Sequence, residues 1–251
     1  MENKKIFYYE QIDSTNTQAS RFALEGAKHG TVVVADFQTA GKGRRGRSWE
    51  SPKGENIYMS ILLRPACQAE RAPMLTLVMA HSVVKALQKH GFTDAGIKWP
   101  NDVILSGKKV CGILTEMSMK GTEIDYVVVG VGVNVNNRCF SAELCGKATS
   151  LFLEGGKVVE RKQLYEDIIE VFEHFYEVFE REQDLSFMQD EYNSLLVNCG
   201  KEVRVLEPEN EYLAYALGIN HKGELRVRTE TGEEKTVFAG EVSVRGIYGY
   251  V

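Results

Sequence analysis

Hydrophobic positions along the chain fall into two textures. As far as about residue 196, apolar runs alternate with segments of helical period; beyond Val197 short alternating strands take over. A first helix is predicted to begin near Ser14 or Thr15, with a hydroxyl cap, and to stop at Gly26. Thr31–Phe37 is β-branched and reads as a buried strand, Gln38–Lys53 as a loop, and Asn56–Arg64 as a second strand. Met74–Lys89 is largely apolar and ends near Gly91, which predicts a buried helix. Ile97–Trp99 is a short strand ended by Pro100. Val103–Leu105 and Lys109–Met117 read as a hairpin about Ser106-Gly107, and Ile124–Val135 as a further strand. Leu164, Ile168, Val171, Phe172, Phe175, Val178 and Phe179 follow the steps of an amphipathic helix.

The later strands are predicted over Glu202–Leu206, Tyr212–Ile219, Glu224–Arg228, Lys235–Phe238 and Val242–Val244. The fold class that follows is α+β: a mixed sheet with packed helices over residues 1–196, and a small all-β barrel over 197–251. A length of 251 residues suffices to bury a core without disulfides or metals.

Composition narrows the class. Hydrophobic content of 43% and charged content of 26% exclude disorder and collagen. No apolar run approaches the length of a membrane span, and Ile6–Tyr9 is too short for a signal-peptide core, so the chain reads as cytoplasmic. The five cysteines are odd in number and contain no C-x-x-C, which predicts free thiols; Cys139 and Cys145 lack the neighbours that would complete a metal site. A net charge of −5 argues against a nucleic-acid coat. Charge is unevenly spread, however. Residues 154–191 carry twelve acids against four bases, the mark of a solvated helix face, whereas residues 38–53 carry five cations against one anion.

That basic stretch contains Gly41-Lys42-Gly43-Arg44-Arg45-Gly46-Arg47-Ser48-Trp49. Alternating glycine and cation lets a backbone bend around an anion while guanidinium groups bind its oxygens, although a flexible basic loop has the same composition. The spacing is neither that of a phosphate loop nor that of a dinucleotide fingerprint. Trp49 supplies an aromatic that can anchor the loop or cover a ligand. A second segment, Lys98-Trp99-Pro100-Asn101-Asp102, is followed by Lys109 and Gly112. Strand alternation places Lys109 with Cys111 and Ile113, so its ammonium needs an anionic partner or a ligand. Glycines in Gly130-Val131-Gly132-Val133-Asn134 mark a close approach to the strand, by a ligand or by neighbouring chain. Asp13-Ser14-Thr15-Asn16 is a helix cap or a polar binding edge.

These four segments, in this order, resemble the biotin–protein ligases. The glycine-arginine loop of that family, GRGRxGRxW, matches residues 41–49 with Lys42 where arginine is commonest; lysine keeps the charge and loses the fork. The KWPND element matches 98–102, the lysine–glycine element Lys109 to Gly112, and the GxGxN strand 130–134. The resemblance implies an SH3-like C-terminal barrel and a two-step reaction. Biotin and ATP, with Mg²⁺ assisting, give biotinyl-5′-adenylate, and the biotinyl group then passes to a lysine of a biotin carboxyl carrier protein. It also implies roles. Lys109, Arg44 and Asp102 would be catalytic, Asp102 orienting or deprotonating the incoming lysine unless it merely caps its turn. Ser14, Thr15, Asn16, Gln38, Lys42, Gly43, Arg44, Lys109 and Gly112 would bind biotin. Lys42, Arg44, Arg45, Arg47, Trp49, Lys98 and Asn134 would bind ATP and the adenylate. No resident protein-bound metal, DNA partner or membrane contact is expected; a homodimer is compatible, and the helix-turn-helix domain that some members carry has no room before Asp13. The competing reading is a lipoate or octanoate ligase or transferase, which also acylates a carrier lysine.

Overall fold

The computed structural model describes residues 5–206, 210–239 and 243–246. Its centre is a seven-stranded mixed sheet built from β1 (Ile6–Tyr9), β2 (Thr31–Ala35), β3 (Ile57–Leu63), β4 (Gly96–Lys98), β5 (Asp102–Leu105), β6 (Lys108–Lys120) and β7 (Glu123–Val133). The spatial order is β1-β2-β3-β7-β6-β5-β4, with β1 and β2 parallel and the other neighbours antiparallel. β2 and β3 are largely apolar and buried along their whole length because both faces of the sheet are covered there. Val32 and Val34 face the main core, whereas Val33 joins Ala19 and Ala23 of α1 (Thr15–Leu24) on the opposite face.

The main core is closed by α2 (Met74–Lys89) and α4 (Arg161–Glu182); a short α3 (Leu151–Gly155) precedes α4, and α5 (Gln189–Leu195) follows it. α4 buries Leu164, Ile168, Ile169, Phe172, Tyr176 and Phe179. Each large apolar side chain so buried contributes about 1.5–3 kcal/mol. The predicted stripe is shifted slightly, since Val171 and Val178 lie at its margin while Ile169 and Tyr176 lie within it. Its acidic face is largely solvated, although one carboxylate oxygen each of Glu173 and Glu180 is buried. Asp167 is buried and accepts hydrogen bonds from Lys89 Nζ at 2.6 Å and His90 Nε2 at 2.7 Å.

The later strands are β8 (Glu202–Leu206), β9 (Glu211–Ile219), β10 (Leu225–Thr229), β11 (Glu234–Val237) and β12 (Ser243–Gly246), in the order β11-β10-β9-β8-β12, all antiparallel. The start of the last predicted strand, Val242, lies outside the described residues. This sheet is no loose appendage. Val203, Val205, Ala216, Leu225 and Val227 belong to the same buried cluster as Leu77, Trp99 and Leu185. The indole of Trp99 donates to Gly223 O at 3.0 Å, and a side chain at Gly223 would meet Leu77 and Leu185. Asn193 Nδ2 also donates to Ile219 O, at 3.3 Å. The boundary expected near residue 196 is therefore a change of architecture inside one continuous core.

Candidate active site

The chain leaving β2 begins the site. Gln38 follows the strand, and its carboxamide oxygen accepts from the Thr15 backbone N–H at 2.9 Å and the Thr15 hydroxyl at 3.2 Å. Ser14 occupies the N-cap position, yet its hydroxyl makes no cap bond. The predicted hydroxyl cap is thus replaced by an amide from another segment, and Ser14 lines a cavity instead. Ser60, a polar residue within the apolar β3, donates to Asn16 Oδ1 at 2.6 Å and lies 2.8 Å from Thr15 Oγ1. Ser14, Thr15, Asn16, Gln38 and Ser60 are all buried, and the last four persist there because they are bonded to one another.

The glycine-rich loop folds back on itself. Gly43 N–H donates to Arg47 O at 2.7 Å and Trp49 N–H to Gly41 O at 2.9 Å, with a tight turn at Arg44–Gly46 in which Arg45 has φ 58°. The return brings Trp49 over the sheet. A side chain at Gly112 would stand 2.7 Å from the indole, and one at Gly132 2.5 Å from it. A side chain at Gly130 would collide with the Asn16 carboxamide. The glycines of β6 and β7 thus clear a strip on which Trp49 and Asn16 lie, so neighbouring chain makes the close approach that the sequence left open.

Two cations stand at the centre. Lys109 Nζ is 2.6 Å from Asp102 Oδ1 and 5.3 Å from the centre of the Trp49 ring. The predicted need for an anionic partner is met by Asp102. The simple alternation is not kept. A register shift between β5 and β6 pairs Ile104 with Lys109 and Val103 with Cys111, leaving Val110 extra; Val110 and Cys111 both enter the core while the Lys109 amine faces Asp102. Burial pushes the Cys111 thiol pKa up, and the described cysteines are all free. Arg44 donates to Asn101 Oδ1 and to Ala239 O, both at 2.7 Å, which ties the loop to the segment after β4 and to the C-terminal sheet. Burial lowers the Arg44 pKa, helped by Arg45 and Arg47 and opposed by Asp102, and a guanidinium keeps its charge regardless.

Two cavities open around these groups. The smaller, about 50 Å³, is lined by each of Ser14, Thr15, Asn16, Gln38, Lys42, Gly43, Arg44, Lys109 and Gly112. The larger, about 500 Å³, is lined by Arg44, Arg45, Arg47, Trp49 and Asn134 among others. Gly43, Arg44, Trp49, Asn101 and Lys109 line both, so the two cations stand where the cavities meet. Lys42 lines only the smaller one, and Lys98 lines neither, being buried on β4 opposite Asp102. Asn134 donates from Nδ2 to Thr149 O at 3.1 Å. The far wall of the larger cavity comes from the irregular segment 137–148, with Phe140, Glu143, Leu144 and Lys147, which no motif singled out. Ser60 and Asn101 were likewise unassigned; a serine in an otherwise apolar strand was the available signal for Ser60.

The arrangement joins a small recess edged by polar side chains to a wide cationic one, with an arginine and a lysine at the junction. Such geometry suits an anion–anion reaction between two bound molecules. The chain matches the biotin/lipoate A/B protein ligase family over residues 8–134 and the biotin protein ligase C terminal domain over residues 199–245. The bifunctional ligase/repressor BirA of Bacillus spizizenii is 34% identical over 241 residues, which cover 95% of this chain and 74% of that protein. The biotin–[acetyl-CoA-carboxylase] ligase of Mycobacterium tuberculosis is 30% identical over 238 residues, covering 92% and 86%. Among solved structures, the biotin protein ligase from Aquifex aeolicus in complex with biotin and ATP superposes with a TM-score of 0.86 at 33% identity, covering 96% of this chain and 99% of that one.

Proposed function

This chain belongs to the biotin/lipoate A/B protein ligase family and is a biotin–protein ligase, and we propose that its two cavities divide the reaction between the acyl substrate and the nucleotide. The carrying observation is the meeting of the cavities at Arg44 and Lys109. In this reading biotin enters the smaller cavity with its ureido group toward Thr15, Asn16 and Gln38 and its carboxylate toward Lys109. ATP occupies the larger cavity, its phosphates near Arg44, Arg45 and Arg47 and its base near Asn134.

A carboxylate oxygen of biotin attacks the α-phosphorus. The new O–P bond forms as the bond to the β-phosphate breaks, and pyrophosphate leaves. No general base is needed, because the nucleophile is already ionised; repulsion between anions is the obstacle. Lys109 and Arg44 reduce it where both anions converge. Mg²⁺, in this reading, accompanies the ATP phosphates and neutralises their charge.

Transfer to the acceptor lysine, proposed to lie on a biotin carboxyl carrier domain, needs a neutral amine. Its nitrogen attacks the acyl carbon, AMP leaves, and in this reading Asp102, paired with the Lys109 ammonium, receives the proton. The test is pyrophosphate release from ATP, with biotin and with lipoate. Release is expected to depend on biotin and to fall about 10²–10³-fold in Lys109→Ala. Release that ignores biotin, or a variant near wild type, refutes the assignment.

A further inference from the structure

Glu116 lies outside every motif and lines neither cavity, yet its two oxygens reach opposite parts of the site. It stands on β6 two positions beyond Leu114. Oε2 accepts from Asn16 Nδ2 at 2.7 Å, and Oε1 lies 3.7 Å from Lys42 Nζ. One carboxylate thus joins the helix edge of the small cavity to the first cation of the glycine-rich loop.

The first contact decides the polarity of a carboxamide. An asparagine side chain can turn over, exchanging its oxygen for its nitrogen at nearly the same positions. Here the nitrogen side faces two acceptors, Glu116 Oε2 and Leu114 O at 3.3 Å, while the oxygen accepts from Ser60 at 2.6 Å. A carboxylate accepts and cannot donate, so the opposite orientation would set two oxygens against each other. Ser60 can accept as well as donate and does not by itself fix the choice. Leu114 O is likewise an acceptor only and favours the same sense, and Glu116 adds the shorter, charged contact and is the one side chain that fixes it.

The second contact concerns Lys42. An ammonium is a point charge that needs no planar partner, and the lysine at this position of the loop finds such a partner in the second oxygen of Glu116. Lys42 and Glu116 are both part-exposed, at 46% and 40% of their side-chain surface, so this pair contributes less than the bond to buried Asn16.

We propose that Glu116 is a positioning residue for the polar end of the acyl substrate: it fixes the donor–acceptor sense of Asn16 and holds Lys42 over the small cavity. The proposal rests on the assignment of that cavity to biotin. Biotin-dependent pyrophosphate release is measured for wild type, Glu116→Ala and Glu116→Gln, each checked by thermal melting, together with trypsin cleavage after Lys42. In Glu116→Ala the KM for biotin is expected to rise about tenfold, with kcat changed less than about threefold. Glu116→Gln can turn its carboxamide oxygen to Asn16, whose nitrogen Leu114 O keeps on that side, and so restores an acceptor without the charge. Its KM is expected to return to within about threefold of wild type, while cleavage after Lys42 quickens in both variants. An alanine variant with wild-type KM, a loss confined to kcat, or a glutamine variant as impaired as alanine overturns the proposal. Wild-type protein without biotin-dependent release instead overturns the functional reading on which it stands.

Discussion

Replacing Gly132 by alanine adds one carbon where the structure has an indole. That carbon would lie 2.5 Å from Trp49 Cε2 and 2.6 Å from Nε1, whereas ordinary contact begins at 3.4 Å, so a shift of about 1 Å is required. The sheet cannot supply it, because Gly132 is paired with both Tyr58 and Gly112. Trp49 is on a loop, and its Nε1 has no hydrogen-bond partner among the described residues to resist displacement. The indole, which is the ring that lies under Lys109, should move. Overpacking of this kind costs about 1–3 kcal/mol. Stability should fall at the low end of that range, and kcat/KM by about tenfold, since 1.4 kcal/mol of lost transition-state stabilisation has that effect. The assays are urea denaturation and biotin-dependent pyrophosphate release. The decisive comparison is the double variant: with Trp49→Ala already in place, Gly132→Ala should cost less than about 0.5 kcal/mol in either assay. Equal losses in both backgrounds would show that the glycine is not there to make room for Trp49.

Other consequences are open to direct measurement. The Asp167 pKa is lowered: burial alone would raise it, but hydrogen bonds from Lys89 and His90 outweigh that. Its contribution to stability is therefore present above the unfolded carboxylate value of about 4 and is lost as pH falls through the lower folded value. Asp167→Asn should melt earlier than wild type at pH 7, with the gap closing below about pH 4; a constant gap refutes this. Trp99→Phe leaves Gly223 O without its buried donor and should cost about 1–3 kcal/mol in urea denaturation, while an unchanged midpoint would show the bond to be unimportant. Arg44→Ala severs the loop from Asn101 and Ala239, and biotinyl-adenylate should leave the enzyme about 10–100-fold faster, seen as labelling of bystander lysines; unchanged retention contradicts it.

Much of the site was legible because its residues come in contiguous runs with unusual composition. The nine residues expected around biotin all line the smaller cavity, since loop, helix start and two glycine-bearing strands converge there. Lys98 sits in an equally distinctive run but points elsewhere, because a three-residue strand buries it. Ser60 is a lone serine in an apolar strand and Glu116 one of several polar residues in β6, and what they touch, Thr15, Asn16 and Lys42, lies on a helix and a loop far away in the chain. Among the elements, β1 is four residues long and α5 is largely polar, so neither has a periodic signature. The shared core was invisible for a related reason. Alternation predicts which strand faces are apolar, and says nothing about whose helices will cover them.

That shared core also sets a timetable for synthesis. Leu77 and Trp99 emerge from a ribosome well before Gly223 and Val244, whose segments complete their cluster. At roughly 5–20 residues per second, the stretch from Leu196 to Val244 takes about 2–10 s to make. Throughout that interval the nascent chain would display an indole and aliphatic surface that the finished protein hides. Quality control would meet a sticky intermediate during every round of translation, and the segment after Leu196 would decide whether the segment before it becomes an enzyme.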